Sequence, residues 1–168
     1  MLRSFYGYPA ISLGTVLNSP HSAEAQIRGG KDFPMIHGTA KLYQTDRGVI
    51  VYCEIHGLPR KQSPCGGPIF ALHIHEGTSC QTGPNGDFLY AKTHYDPVGC
   101  EHPHHAGDLP PLFSNHGYAL SAFLTDRFTV KDVIGRIFII HEHTDDFTTQ
   151  PSGNAGKMIA CGEINKEK

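Results

Sequence analysis

The stretch Phe70-Ala71-Leu72-His73-Ile74-His75-Glu76-Gly77 decides the fold predicted for this chain. An apolar run continues into two histidines spaced two apart and ends at a glycine, a pattern that favours a β-strand over 69–75. Successive side chains of a strand point to opposite faces, so His73 and His75 share a face and can converge. Imidazole is the commonest side-chain metal ligand near neutral pH. The stretch therefore predicts a strand that carries metal ligands.

Strand-like segments bounded by glycine or proline recur along the chain, and no window holds a long helical pattern. We predict eight strands, at about 22–28, 36–44, 49–55, 69–75, 88–94, 118–124, 134–141 and 157–164. Eight short strands favour an all-β sandwich or barrel. Thr45-Asp46-Arg47-Gly48 is predicted to be a hairpin turn between two of them. Three longer stretches, 77–87, 96–114 and 142–154, exceed hairpin loops and are expected to be functional.

Length and charge bound the class of protein. The 168 residues suffice for one domain with its own core, predicted at 21–168 after a partly disordered N-terminal extension at 1–20. A cleaved signal peptide is the alternative for the extension, although Gly7 and Pro9 interrupt its apolar stretch. The net charge of −2 predicts no nucleic-acid partner. The longest apolar run, over 137–140, is far below the roughly 18 residues of a membrane span, so no membrane partner is predicted.

Twelve histidines give the strongest chemical signal, and seven of them lie between His73 and His116. The segment ending His73-Ile74-His75-Glu76 resembles the HxHE strand end of copper–zinc superoxide dismutases. Further blocks resemble that family in the same order: His94-Tyr95-Asp96-Pro97, His105-Ala106-Gly107-Asp108-Leu109, His141-Glu142 with Asp145-Asp146, Gly153-Asn154-Ala155-Gly156, and Ala160-Cys161-Gly162. The resemblance covers roughly residues 22–165. It implies an eight-stranded antiparallel Greek-key fold, immunoglobulin-like, with long metal-binding and electrostatic loops.

The resemblance also implies two metal cofactors, Cu and Zn. The implied copper ligands are His73, His75, His94 and His141, and the implied zinc ligands are His94, His102, His105 and Asp108. His94 would bridge the ions, and His94 and His141 are the implied catalytic residues. His102 is preferred to His104 because the family's first zinc-only histidine follows the bridging one by eight residues. Three imidazoles and one carboxylate suit a closed, structural zinc site, whereas an all-imidazole site suits copper.

Other residues receive roles from the same resemblance. Asp145 would hold the second ring nitrogens of metal ligands, although a solvated loop acid is the alternative reading. Cys80 and Cys161 match the family's disulfide. A further disulfide between Cys65 and Cys100 is possible, and Cys53 is predicted to be a buried thiol.

The implied activity is dismutation of superoxide anion to dioxygen and hydrogen peroxide. One position departs from the family, because Met158 stands where an arginine normally guides the anion. Lys157 is a candidate replacement, and we expect a slower enzyme whose rate depends less on salt. The principal alternative is a non-enzymatic copper- or zinc-binding relative, and a hydrolytic zinc enzyme fits less well because HExxH is absent. A homodimer is possible, and the cytoplasm is preferred to an extracytoplasmic location.

Overall fold

The structure is a computed structural model that describes residues 10–60, 67–86 and 88–167. Its eight strands are β1 (Ala23–Gly29), β2 (His37–Thr45), β3 (Gly48–His56), β4 (Ile69–His75), β5 (Asp108–Phe113), β6 (Ala119–Thr125), β7 (Ile137–His141) and β8 (Met158–Lys166). Two short helices, α1 (Leu13–Leu17) and α2 (Val130–Val133), complete the described elements. No helix in these ranges is long and apolar enough to span a bilayer.

All strand pairs are antiparallel, and the sheet runs in the order β5-β4-β7-β8-β1-β2-β3-β6. The end strands β5 and β6 contact each other, so the sheet curls into a nearly closed barrel. Across that seam the spatial order is β7-β4-β5-β6, which is a Greek key. The all-β prediction is confirmed. The predicted hairpin turn is confirmed as well, because Thr45 pairs with Gly48 at the β2–β3 junction.

Strand alternation places the histidines outside the barrel core. Phe70, Leu72 and Ile74 of β4 belong to the large core cluster inside the barrel. His73 and His75 therefore lie on the outer face of the same strand. Every residue of β4 except Ile69 is buried, so the outer face of the strand is covered as well as the inner one. The histidine face of β4 is thus a second buried layer.

One predicted strand is wrong. The segment 88–94 is a loop, and its contact with β4 is an isolated bridge between His94 and His75. The fifth strand is instead Asp108–Phe113, which contains Pro110 and Pro111. Proline cannot donate a ladder hydrogen bond, but it is tolerated in a strand at the edge of a sheet. Since β5 is an end strand, its prolines fit there.

Candidate metal centre

Four histidines form one group on the outer face of the barrel. His73 and His75 come from β4, His141 ends the neighbouring β7, and His94 comes from the loop between β4 and β5. One ring nitrogen from each lies within 4.8 Å of the others, and all four residues are buried. The structure thus brings together the four residues expected to hold copper, which we call the copper group or first group.

Backbone carbonyls orient two of these rings. Nδ1 of His75 donates to the carbonyl oxygen of Lys92 at 3.1 Å, and Nδ1 of His141 lies 3.3 Å from that of Gly156. With Nδ1 protonated, each ring offers a lone pair at Nε2, and the two Nε2 atoms face each other at 3.3 Å. Two lone pairs at this distance repel unless a cation or a proton lies between them. The pair is therefore arranged for a shared ion.

Burial sets the protonation state of the same rings. It is the largest cause that lowers the pKa of His75 well below its usual value, followed by the neighbouring His141. Burial likewise lowers the pKa of His141, to about 3. Neutral imidazole is the form that coordinates metals, so both rings are in the ligating form at neutral pH.

A second group surrounds the carboxylate of Asp108. Its Oδ1 lies 2.7 Å from Nδ1 of His94, and its Oδ2 lies 3.1 Å from Nδ1 of both His102 and His105. The backbone N–H of His105 also donates to Oδ2, at 3.0 Å, which fixes the carboxylate within its loop. The ligating atoms of these four residues lie within 4.8 Å of one another. These are the four residues expected to hold zinc, which we call the zinc group or second group.

Asp108 is ionised despite its burial. Burial raises its pKa, but the hydrogen bond from His94 and the surrounding imidazoles outweigh that effect and lower the pKa to about 2. A buried carboxylate is stable only when its charge is compensated. The second group therefore offers one anion and three imidazoles to a cation.

His94 belongs to both groups and presents a different nitrogen to each. Its Nδ1 faces Asp108, whereas its Nε2 lies on the side of the first group and is buried without a hydrogen-bond partner. An unsatisfied buried nitrogen costs free energy, and a metal ion on that side would remove the cost.

Asp145 connects the two groups. Its Oδ2 accepts from Nε2 of His73 and its Oδ1 from Nε2 of His102, both at 2.8 Å. The backbone N–H of Phe147 donates to Oδ1 as well, at 2.7 Å. These bonds outweigh the effect of burial and lower the pKa of Asp145, which keeps it ionised.

The two bonds to Asp145 leave one free nitrogen on each ring. Nδ1 of His73 and Nδ1 of His102 are both buried and make no hydrogen bond, although Nδ1 of His102 lies 3.1 Å from Oδ2 of Asp108. Because Nε2 of His102 donates to Asp145, its Nδ1 carries a lone pair and does not donate to the Asp108 carboxylate. The first faces the copper group and the second faces the zinc group. Together with Nε2 of His94, three orphaned nitrogens point into the two groups, so the donor atoms fit a pair of metal ions.

Sequence reasoning missed Gly153. Its φ is +64°, and an added Cβ would lie 1.9 Å from Oδ1 of Asp145 and 2.7 Å from Nε2 of His102. Only glycine leaves room there for the carboxylate. The residue lies in one of the family-like blocks, but its spacing in the sequence does not reveal the close approach.

Arg127 was missed as well. Its Nη1 lies 3.1 Å from the carbonyl oxygen of Pro103 and 3.2 Å from those of His105 and Asp108. The guanidinium therefore fastens the loop that carries the zinc group to the end of β6. Arg127 lies outside every motif, and we find no sequence signal for this contact.

The cysteines divide into three environments. Cys80 and Cys161 form a disulfide that joins the loop after β4 to β8. Cys53 is a buried thiol in β3, as predicted, and burial raises its pKa to about 12. Cys100 is exposed. Cys65 lies outside the described residues, but Cys100 is a free thiol, so the possible disulfide between the two is not formed in the structure.

A surface cavity of about 440 Å³ gives access to the copper group. His75, His94, His141 and Met158 are among the residues that line it. Lys157, the candidate replacement for the arginine, is exposed but does not line the cavity. His104 belongs to neither metal-type group.

The fold and the site define the class of protein, a β-barrel with two adjacent groups of potential metal ligands that share His94. The family model for copper/zinc superoxide dismutase matches residues 36–164, and the chain belongs to that family. Superoxide dismutase [Cu-Zn] 2 of Aquifex aeolicus is 34% identical, over 76% of this chain and 78% of that protein. Superoxide dismutase [Cu-Zn] of Deinococcus radiodurans is also 34% identical, over 96% and 97%. The crystal structure of a SOD-like protein from Bacillus subtilis matches with a TM-score of 0.67 and 29% identity, over 83% and 95%.

Proposed function

We propose that this protein is a superoxide dismutase that converts superoxide to dioxygen and hydrogen peroxide. The supporting observation is the position of His94 between two groups of ligands, with one ring nitrogen on each side. In this proposal His73, His75, His94 and His141 hold copper. His94, His102, His105 and Asp108 hold zinc.

The two donor sets suit different ions. The first consists of imidazoles alone and borders a surface cavity, which suits a redox-active copper reached by a small anion. The second includes an ionised carboxylate beside three imidazoles, a donor set that closes a tetrahedral site and so suits a structural zinc. Copper supplies the one-electron couple that lets one superoxide leave as dioxygen and a second, with an added electron and two protons, leave as hydrogen peroxide.

The protein's own residues position the reaction and handle a proton. Nε2 of His94 is the buried atom that can hold a proton between the two halves of the cycle, because its other nitrogen is engaged with the zinc group. The carbonyls of Lys92 and Gly156 keep His75 and His141 in the ligating tautomer. His141 lines the cavity where the anion would arrive.

Metal analysis combined with pulse radiolysis of superoxide decay tests the proposal. We expect one copper and one zinc per chain and catalytic decay of superoxide. The H94A variant should lose both metals and the activity. The matched control is H104A, since His104 is exposed and outside both groups, and it should keep both.

A specific observation favours the alternative of a non-enzymatic metal-binding protein. Met158 lines the cavity where the family places an arginine. Full copper occupancy without superoxide decay would therefore support the alternative and reject the enzyme. Homodimer formation and residence in the cytoplasm stay predictions. Size-exclusion chromatography with light scattering tests the first, and fractionation of cells tests the second.

A further inference from the structure

The cavity above the copper group contains one strongly cationic side chain. Among the described residues that line it, Lys92 is the only lysine or arginine, while Glu76 and Asp96 contribute negative charge. Met158 places a neutral thioether there. Any attraction of an anion by a fixed positive side chain of the lining therefore depends on Lys92.

The backbone of Lys92 has an unusual conformation for a lysine. Its φ is +57°, in the left-handed region that glycine and asparagine adopt with less strain. Neighbouring contacts hold it there: the N–H of Gly77 donates to the Ala91 carbonyl at 3.0 Å, and the N–H of Glu76 donates to the Thr93 carbonyl at 2.9 Å. The carbonyl of Lys92 itself accepts from Nδ1 of His75. The backbone conformation of Lys92 is thus needed to orient the His75 ring, one of the potential copper ligands.

The left-handed backbone accounts for the turn at position 92, but it does not explain why the residue there is a lysine. Glycine would accommodate the same φ and offer the same carbonyl to His75. The side chain must therefore account for the choice of residue, and its surroundings are the cavity and the exposed surface.

We infer that Lys92 is the anion-capturing residue of this cavity, in place of the arginine that the family carries at the position of Met158. The inference rests on the proposed function, since it concerns a small monovalent anion approaching the copper group. The side chain acts through its charge, because a positive group that lines a surface cavity raises the local concentration of anions and the rate of their capture. Lys157, which does not line the cavity, has no part in it.

Azide binding to the copper- and zinc-loaded protein tests the inference without relying on turnover. The K92N and K92G variants should bind azide about 3- to 10-fold more weakly than the wild type at low salt, measured by optical titration, because one nearby charge is lost. K92R should retain wild-type affinity, and the matched control K157N should change nothing. Added salt should weaken azide binding to the wild type more than to K92N.

Thermal unfolding of the metal-free variants separates charge from architecture. K92G should unfold at the same temperature as the wild type or higher, since it relieves the left-handed strain and keeps the carbonyl. Equal azide affinity in the wild type and K92N, or an equal loss in K157N, would overturn the inference. Weaker azide binding by K92N in a protein that shows no superoxide decay would support the inference and reject the proposed enzyme. Superoxide decay together with unchanged azide affinity in K92N would support the proposed enzyme and reject the role of Lys92.

Discussion

His73 and His102 donate to opposite oxygens of one carboxylate, that of Asp145, each at 2.8 Å. The first ring belongs to the proposed copper group and the second to the proposed zinc group. A single side chain therefore fixes the orientation of one ring in each group. Its loss is expected to affect both groups, although it contacts neither ion in the proposed arrangement.

The D145N variant is expected to bind zinc and copper about 10- to 100-fold more weakly, the usual effect of removing a partner that orients metal ligands. The reason is that an amide accepts at one atom only, so one of the two histidines loses its acceptor. Competition with chelators of known affinity measures the change. The control is D146N, since Asp146 bonds Thr148 and Thr149 rather than a histidine. Equal effects of the two variants would contradict the role of Asp145.

The G153A variant should disturb the same carboxylate by crowding. Its new methyl would lie 1.9 Å from Oδ1 of Asp145, so the side chain must move. The matched control is G135A, since Gly135 has a φ of +81° but nothing within 4 Å of its added Cβ. Both variants carry left-handed strain of about 1–2 kcal/mol. Urea unfolding should show G153A to be destabilised by at least about 1 kcal/mol more, because overpacking adds to the strain.

Replacement of Arg127 is expected to weaken zinc binding selectively. R127Q removes the charged donor from three carbonyls of the zinc-group loop, and one charge-assisted contact corresponds to about tenfold in affinity. R127K should restore part of the loss. The d–d spectrum of cobalt bound in place of zinc reports the site geometry directly. A parallel loss of copper affinity, or the same loss in the exposed control K131Q, would argue against the contact.

Removal of the disulfide should lower stability substantially. Cys80 and Cys161 are 81 residues apart in the sequence. Closing a loop of that length is worth about 4.5 kcal/mol of chain entropy in the unfolded state. Urea unfolding of the metal-free C80S/C161S double variant measures the loss, and C100S is the control because Cys100 is exposed. A loss below about 1 kcal/mol would show that the bridge does not restrain the unfolded chain.

Cys53 should make the protein less stable at alkaline pH. Burial raises its pKa from 9.0 to about 12, so the folded protein keeps a proton that the unfolded chain releases above pH 9. Stability is therefore lost as the pH rises from about 9 towards 12, by at most about 1.4 kcal/mol per pH unit. Urea unfolding at pH 8 and pH 10.5 should show a smaller alkaline loss in C53A than in the wild type. Mass mapping after alkylation at pH 9 should find Cys53 unmodified until the protein is unfolded.

The sequence predicted those structural elements that are determined by neighbouring residues. The alternation in 69–75 predicted both β4 and the shared face of His73 and His75. The turn at 45–48 was predictable because aspartate and glycine are common turn residues, and Gly48 indeed has a positive φ in the structure. The resemblance to the family's motif spacing predicted all seven residues that the structure places in the two groups.

The misses have long-range causes. The two prolines of β5 argue against a strand until the sheet order shows that β5 lies at an edge. Gly153 and Arg127 act on residues far away in the sequence, and their partners become visible only after folding. The conformation of Lys92 is likewise held by Glu76 and Gly77, just after β4, through contacts that its own neighbours in the sequence do not reveal.

The two groups draw their donors from β4, from the long loop that follows it, from the start of β5 and from the end of β7. Ions held there would act as reversible cross-links between segments that are distant along the chain. Resistance of the loaded protein to proteases and heat would then be governed by how slowly the ions dissociate, rather than by the barrel alone. Durability would thus become a kinetic property that the supply of metal controls.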